Sequence, residues 1–281
     1  MTPAKYQVAQ ENGVRCTLCP HHCLLEEKEW GLCNARQAEN GTLWARTYGV
    51  LTAIHVDPIE KKPLRLFLPG TKTLSLGSSG CNLFCPFCQN MSISRARPFT
   101  HMYIESQKIV EEAQRSGIPS ISYTYNEPVT FYEFMLDTAR LAKEHGIFNV
   151  LVSNGHLSPE PLEALLPWID ALNIDIKTFD ANKFKTFCGG ALDAVLHTAE
   201  RAAALSHLEV TTLMVPGLCD VDDVVQTADW LSKIRSDIPL HITRYFPVKK
   251  GQAPPTPIKQ MQAALDQSKR HLKYVFLGNV N

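Results

Sequence analysis

The stretch KTLSLGSSGCNLFCPFCQN, residues 72 to 90, predicts a strand that runs directly into a cysteine-rich loop. Its first part, KTLSLG at residues 72 to 77, is a short strand-like run that ends in a glycine. The loop that follows holds three of the nine cysteines of the chain, Cys81, Cys85 and Cys88, spaced C-x3-C-x2-C. Three thiols this close together indicate a metal site, because thiolates select soft metals and iron–sulfur clusters.

This strand begins an alternation of strands and helices that continues through the rest of the sequence. Strands are predicted at residues 72–77, 119–124, 147–152, 171–176, 208–214 and 239–243, with a further short strand at 273–277. Helices are predicted near residues 104–116, 129–145, 159–167, 190–205, 221–235 and 257–271. Six strands that alternate with helices imply right-handed crossovers and a parallel sheet. Because eight units close a barrel, we expect an open, partial (β/α)6 TIM-like barrel of the α/β class, with a flat doubly wound sheet as the alternative.

The chain divides into two predicted regions. Residues 71–281 carry the alternating pattern and form the predicted barrel, whereas residues 1–70 are irregular and rich in cysteine. We expect the first region to be a separate metal-binding extension of the barrel.

Polar residues follow the end of almost every predicted strand. Parallel α/β folds place their active sites at the carboxyl ends of the strands, so these residues are expected to meet at one mouth. They are Asn126 and Glu127 after the second strand, Ser153 and Asn154 after the third, Asp175 and Lys177 at the end of the fourth, Pro216 and Gly217 after the fifth, and His241 and Arg244 in and after the sixth. Any one of them could be an ordinary loop residue, and it is their common position that predicts a site.

The number of thiols after the first strand indicates the kind of metal site. A closed structural site needs four protein ligands, and this loop offers three. A cubane cluster held by three thiolates keeps one iron without a protein ligand, and that iron can bind a substrate or cofactor directly. The loop therefore predicts a catalytic centre.

A second group of cysteines lies in CTLCPHHCLLEEKEWGLC, residues 16 to 33. Its four thiols, Cys16, Cys19, Cys23 and Cys33, are enough for a closed tetrahedral site. The spacing is compatible with zinc and with an auxiliary iron–sulfur cluster. The stretch has few aromatic or aliphatic residues to shield a redox cluster, which favours zinc slightly.

Charge and hydropathy exclude several classes of function. The 28 basic and 28 acidic residues give a formal net charge of zero, so binding to nucleic acid is not expected. No apolar run approaches the roughly 20 residues that span a bilayer. The first residues, MTPAKYQVAQENG, lack the apolar core of a signal peptide. We therefore expect a cytoplasmic protein with no membrane partner.

The loop from Cys81 to Cys88 resembles the signature of the radical S-adenosylmethionine (SAM) superfamily. Together with CTLCPHHC, DPIEKKPLRLFLPG and YTYNEP, it makes the chain similar to the AmmeMemoRadiSam-system radical SAM enzymes, over roughly residues 15 to 279. These enzymes are relatives of the pyruvate formate-lyase activating enzymes. The resemblance implies a [4Fe–4S] cluster that binds SAM at its open iron and cleaves it reductively to a 5′-deoxyadenosyl radical. It implies no catalytic residue beyond the cluster and SAM.

The resemblance also implies which residues contact SAM. Glu127 stands where relatives have a Gly-Gly-Glu stretch that binds the SAM amino group, although the glycines are absent here. Ser153 and Asn154 resemble a polar pair that contacts SAM, and Asp175 and Lys177 resemble a D-x-K stretch near its carboxylate. The remaining implied contacts are Asn126 beside Glu127, the backbone of Phe87 and Pro216 with Gly217 at the adenine, and His241 or Arg244 at the ribose.

The partners follow from the same resemblance. A reductant such as flavodoxin or ferredoxin is implied, and so is a protein substrate like those of the enzymes that activate glycyl radical enzymes. One alternative is a radical SAM enzyme acting on another substrate, linked to Memo-like or AMMECR-like partners. A second alternative is a non-catalytic iron–sulfur or zinc module, serving as a scaffold or an electron carrier. A carrier would need a fourth ligand beside Cys81, Cys85 and Cys88, and it would have no SAM pocket.

Overall fold

Two small antiparallel sheets form the N-terminal region. A computed structural model of the protein describes residues 2–98 and 103–280. The strands of this region are β1 (Thr2–Pro3), β2 (Gln7–Gln10), β3 (Gly13–Cys16), β4 (Leu24–Leu25), β5 (Arg36–Glu39) and β6 (Thr42–Ala45). One sheet has the order β1-β6-β5 and the other the order β2-β3-β4.

The central sheet has eight strands that lie side by side in chain order. They are β7 (Ala53–Pro58), β8 (Lys72–Gly77), β9 (Ser120–Tyr123), β10 (Phe148–Ser153), β11 (Ala171–Asp175), β12 (His207–Met214), β13 (Leu240–Arg244) and β14 (Val275–Gly278). Strand β7 pairs antiparallel with β8, and all later neighbours pair in parallel. A doubly wound sheet reverses its strand order at a switch point, and this order does not reverse. The unbroken order confirms the open, partial barrel.

Helices connect the parallel strands. They are α1 (Met91–Ser94), α2 (Ser106–Arg115), α3 (Tyr132–Glu144), α4 (Pro159–Leu165), α5 (Ala181–Lys183), α6 (Leu192–Leu205), α7 (Val221–Ile234) and α8 (Ile258–Ser268). Short 3-10 segments lie at Ile59–Lys61, Pro128–Phe131 and Leu166–Trp168, and a π-helical turn lies at Phe184–Cys188. Every predicted strand and helix of the barrel is present, with its ends shifted by a few residues. None of the described helices is long and apolar enough to cross a membrane.

Strand β7 was not predicted. Its side chains are mostly half-buried or exposed, and Val56 is among the exposed apolar residues of the protein. An edge strand of this kind lacks the buried pattern by which the other strands are recognised. It precedes residue 70 yet belongs to the central sheet. The division of the chain at residue 70 stays a prediction.

A buried ion pair attaches the N-terminal region to the barrel. Arg36 on β5 pairs with Glu133 on α3, and both side chains are buried. The same guanidinium donates from Nη1 to the Lys5 carbonyl oxygen at 2.7 Å, and the Lys5 amide donates to Glu133 at 2.8 Å. Breaking a buried pair leaves an uncompensated charge, so these contacts hold the region in one position.

Candidate active site

The carboxyl ends of the barrel strands surround a cavity of about 670 Å³, within the size range of small-molecule sites. Most of the predicted site residues line it. They are Cys81, Cys85, Phe87, Cys88, Asn126, Glu127, Ser153, Asn154, Asp175, Lys177 and His241. The structure therefore brings together groups from β8 to β13 that are far apart in the sequence.

Three predicted positions lie outside this cavity. Pro216 and Gly217 are not among the residues of its wall, and neither is Arg244. The Nε atom of Arg244 donates to the Thr256 carbonyl oxygen at 2.8 Å, and its guanidinium lies 4.8 Å from the ring centroid of Phe246. Arg244 is therefore occupied by the segment that leads to α8.

The Cys81 thiol, in the loop after β8, accepts hydrogen bonds from two N–H groups. The Leu83 amide lies 3.4 Å from the Cys81 sulfur, and Nδ2 of Asn154 lies 3.8 Å from it. Such hydrogen bonds to sulfur tune iron–sulfur clusters. Burial, and then the charge of Glu127, raises the pKa of Cys81 to about 12. A metal that binds here must therefore displace a proton.

Glu127, which follows β9, is hydrogen-bonded to Ser153 and Asn154 at the end of β10. Its carboxylate accepts hydrogen bonds from the Ser153 hydroxyl at 2.8 Å, the Asn154 amide at 2.8 Å and the Val129 amide at 3.1 Å. Burial raises the pKa of Glu127. A carboxylate has about four acceptor positions, so roughly one remains for a ligand. Glu127 therefore acts mainly on the position of Ser153 and Asn154.

Asp175 and Lys177 form an ion pair at the cavity wall. Burial alone would lower the pKa of Lys177, but the charge of Asp175 outweighs it and the pKa is raised. The buried Oδ1 atom of Asp175 has no hydrogen-bond partner among the described residues. Lys177 thus offers a positive charge, and Oδ1 of Asp175 offers a free hydrogen-bond acceptor. Together they suit a ligand that carries both a carboxylate and an amino group, such as SAM, next to Cys81, Cys85 and Cys88.

The segment before β8 forms a part of the wall that was not predicted. Lys62 lines the cavity although its side chain is buried, and its Nζ atom lies 2.7 Å from Oδ2 of Asp57. The Tyr125 hydroxyl donates to the same oxygen at 2.5 Å. Arg65 also lines the cavity. These wall residues belong to the stretch DPIEKKPLRLF, and the sequence alone did not assign roles to its residues.

Cys188 has a neighbour that its sequence position did not reveal. It lies in the π-helical turn, fully buried, and its carbonyl oxygen accepts from the Phe84 amide at 2.7 Å. A side-chain hydrogen bond with Cys188 is the main cause of the lowered pKa of Cys85. Cys85 lines the cavity and Cys188 does not, so Cys188 lies on the side of Cys85 that faces away from the cavity.

The N-terminal thiols line a second, smaller cavity. Cys16, Cys19, Cys23 and Cys33 all contribute to its wall. Burial, together with the charges of the neighbouring thiols, raises the pKa of Cys19 to about 12 and that of Cys33 to about 11. Among residues 2–98 and 103–280, no three Cys, His, Asp or Glu side chains are gathered as the ligands of one metal ion are.

Glu209 holds together two segments of the wall of the larger cavity, although it does not line the cavity itself. Its carboxylate accepts from the backbone amides of Arg65 at 2.9 Å and Leu66 at 2.8 Å. It also accepts from Nε2 of His207 at 3.0 Å and Nε2 of His241 at 2.6 Å. Burial alone would raise the pKa of Glu209, but these donors outweigh it and lower the pKa from 4.5 to about 2.

We expect Glu209 to make folding sensitive to acid. Because its folded pKa is depressed, its contribution is present above about pH 4.5 and is lost as the pH falls towards 2. The shift corresponds to roughly 3 kcal/mol. Urea unfolding of wild type and Glu209→Gln, measured from pH 6 to 3, should show a shallower pH dependence for the variant. Equal slopes would contradict this role of Glu209.

Three thiols follow the first parallel strand of an open barrel, and they face a cavity lined by polar residues at the strand ends. This arrangement defines a class of barrel enzymes that carry an iron–sulfur cofactor. The family model of the Radical SAM superfamily matches residues 76–231, and the chain belongs to this superfamily. The family implies a [4Fe–4S] cluster and SAM, and the three thiols with the Asp175–Lys177 pair fit both groups.

Relatives agree with this assignment. The chain is 43% identical to an uncharacterized protein of Methanocaldococcus jannaschii, over 98% of this chain and 84% of the relative. It is 26% identical to a putative glycyl-radical enzyme activating enzyme of the same organism, over 61% of this chain and 67% of the relative. The solved structure of Streptococcus suis SuiB bound to S-adenosylmethionine shares the fold, with a TM-score of 0.58, 13% identity and 72% of this chain covered. The chain spans about half of SuiB, 48% of its length.

Proposed function

We propose that the protein cleaves SAM reductively at a [4Fe–4S] cluster held by Cys81, Cys85 and Cys88, and that the 5′-deoxyadenosyl radical acts on a protein substrate. The observation that carries this proposal is the cavity in which three thiols share a wall with the Asp175–Lys177 pair. When bound, the cluster supplies the electron that breaks the sulfur–C5′ bond of SAM.

The protein's own residues bind and orient the cofactor. Lys177 offers a positive charge to the SAM carboxylate, and the vacant Oδ1 of Asp175 offers an acceptor to its amino group. Glu127 fixes Ser153 and Asn154 beside Cys81. The protein thus binds and positions, and the reactive chemistry belongs to the cofactor.

A protein substrate is supported by the similarity to a putative glycyl-radical enzyme activating enzyme. We further propose a cytoplasmic location, a reductant such as flavodoxin or ferredoxin, and a second metal, zinc or an auxiliary iron–sulfur cluster, at the N-terminal cysteines. A different substrate linked to Memo-like or AMMECR-like partners is the second candidate. The relative that is similar over nearly the whole chain is uncharacterized, so it does not decide between the two substrates.

A non-catalytic electron carrier is disfavoured by the cavity. A carrier cluster needs four protein ligands. Among the described residues, the cavity wall holds three cysteines, because Cys188, although it affects Cys85, does not line the cavity. A carrier also has no use for a cavity lined from several strands.

An anaerobic assay tests the proposal directly. The protein is reconstituted with iron and sulfide, SAM and dithionite are added, and 5′-deoxyadenosine is quantified beside a sample without dithionite. Formation that depends on dithionite supports the proposal. A protein that binds SAM at an intact cluster but forms no product, even with cell extract added, is a carrier and contradicts it.

The reconstituted cluster should also be sensitive to air. One iron lacks a protein ligand and faces an open cavity, so oxygen can reach it. We expect the visible iron–sulfur absorbance to decay on exposure to air, and SAM to slow the loss by occupying the open iron. Full absorbance after hours in air would argue against an open coordination site.

A further inference from the structure

The N-terminal thiol cavity lies between the protein surface and the loop that carries Cys81. We propose that Cys16, Cys19, Cys23 and Cys33 bind an iron–sulfur cluster rather than zinc, and that this cluster feeds an electron to the SAM site. The inference rests on the proposed function, because an electron has a use here only if SAM is cleaved reductively.

The inner wall of this cavity is the SAM-cluster loop itself. Asn82, the residue after Cys81, is buried and lines the cavity together with the four thiols. The Asn82 carbonyl oxygen accepts from Nε2 of His21 at 2.6 Å. On the other side of Cys81, a Cβ atom at Gly80 would lie 2.2 Å from the Cys33 carbonyl oxygen. Both neighbours of Cys81 therefore touch the N-terminal thiol region.

The outer wall of the cavity reaches the surface. Leu32 lines the cavity and is 51% exposed. Leu24, one residue after Cys23, is 42% exposed. A cluster in this cavity is therefore one side chain from solvent on one side and one loop from Cys81 on the other. A structural zinc needs no such intermediate position, whereas a centre that receives and passes on electrons does.

Apolar side chains from several elements shield the thiols. Leu18 and Leu25 in the N-terminal region and Val129 at the start of the 3-10 turn before α3 are all buried and line the cavity. The slight preference for zinc rested on the scarcity of shielding residues in the sequence around the thiols. The folded chain supplies part of this shield from a distant segment.

Arg36 places a buried guanidinium, ion-paired with Glu133, beside the thiols. It lines the cavity, and its Nη1 atom donates to the Cys16 sulfur at 3.6 Å. Four thiolates leave a cluster with net negative charge, and a cation with hydrogen bonds to sulfur makes its reduction easier.

The electron count is simple. A reduced flavodoxin or ferredoxin gives one electron to the N-terminal cluster and is oxidised. The reduced N-terminal cluster gives that electron to the SAM-site cluster and returns to its oxidised state. One electron from the reductant therefore reduces one SAM-site cluster.

The test removes the SAM-site thiols and leaves the N-terminal ones. In the Cys81→Ala, Cys85→Ala, Cys88→Ala triple variant, we expect equal amounts of iron and sulfide, about two or four of each per chain. A reduced sample should also show an iron–sulfur electron paramagnetic resonance signal. Zinc at about one per chain without iron would overturn the inference, and so would the absence of any metal. Cys219→Ala, which removes a buried cysteine outside both cavities, is the matched control and should keep the wild-type metal content.

A second measurement needs no substitution in the N-terminal region. In fully reduced wild type, two clusters separated by one loop should broaden each other's resonance signals by spin coupling. Signals that simply add would overturn the proposed electron path. The 5′-deoxyadenosine assay on wild type reports the proposed function separately, so a failure of either proposal is recognised by itself.

Discussion

Cys85→Ala is expected to abolish SAM cleavage, with 5′-deoxyadenosine falling to the level of a protein-free control. A cubane that keeps one iron for SAM has only three protein ligands, and removing one leaves two. Cys85 is the most buried thiol of the loop, so no water-borne ligand can easily replace it. Loss of a supporting partner of a metal ligand typically costs about 10- to 100-fold, and loss of the ligand itself should cost more.

A graded series of cysteine variants makes this prediction sharper. Cys188→Ala removes the thiol that lowers the pKa of Cys85, so we expect an intermediate loss of roughly 10- to 100-fold. Cys219→Ala should retain activity, because Cys219 is buried outside the cavity. Iron content and 5′-deoxyadenosine are measured anaerobically for all three. SAM cleavage by Cys85→Ala, or its loss in Cys219→Ala, would contradict the assignment.

The sequence was informative where the signal is local. A strand such as β10 is largely buried, and its apolar run identifies it without any knowledge of its neighbours. The thiols of the SAM site lie within one loop and their spacing is visible directly. The order of the strands then follows from alternation with helices, because crossovers are right-handed and connections are short.

The sequence was uninformative where the signal depends on contacts between distant segments. Part of the cavity wall is held in place by Glu209, which joins His241 to the backbone of Arg65, and no spacing rule connects these three. The contact of Cys188 with Cys85 depends on a π-helical turn, a rare element with no clear pattern. Pro216 and Arg244 were placed by their position after a strand, but the loop that follows β13 turns Arg244 towards Thr256.

Gly80→Ala is expected to lower both stability and iron binding, because Gly80 lies at one of the points where the two thiol regions touch. Its φ angle is +87°, which L-residues rarely adopt, and its added Cβ would lie 2.2 Å from the Cys33 carbonyl oxygen. The backbone cannot move aside freely. The Gly80 amide donates to the Ile93 carbonyl oxygen at 2.9 Å, and its own carbonyl oxygen accepts from Asn126 at 2.9 Å.

The expected effect of Gly80→Ala combines two terms. The left-handed conformation costs about 1–2 kcal/mol with a side chain, and the overlap with a fixed backbone oxygen adds about 1–3 kcal/mol. Gly70→Ala is the matched control, because Gly70 has a φ of +78° with nothing within 4 Å of the added carbon. Urea unfolding should therefore separate the conformational term, present in both variants, from the overlap, present only at Gly80.

The amount of bound iron is the second measurement for the Gly80→Ala and Gly70→Ala variants. Relief of the overlap must displace Cys33, Cys81 or both, so Gly80→Ala should bind less iron after anaerobic reconstitution, whereas Gly70→Ala should bind as much as wild type. Equal iron and equal stability in the two variants would mean that the Cys33 backbone does not press on the SAM-cluster loop. A loss confined to Gly80→Ala would show that the two thiol regions depend on each other through this one close contact.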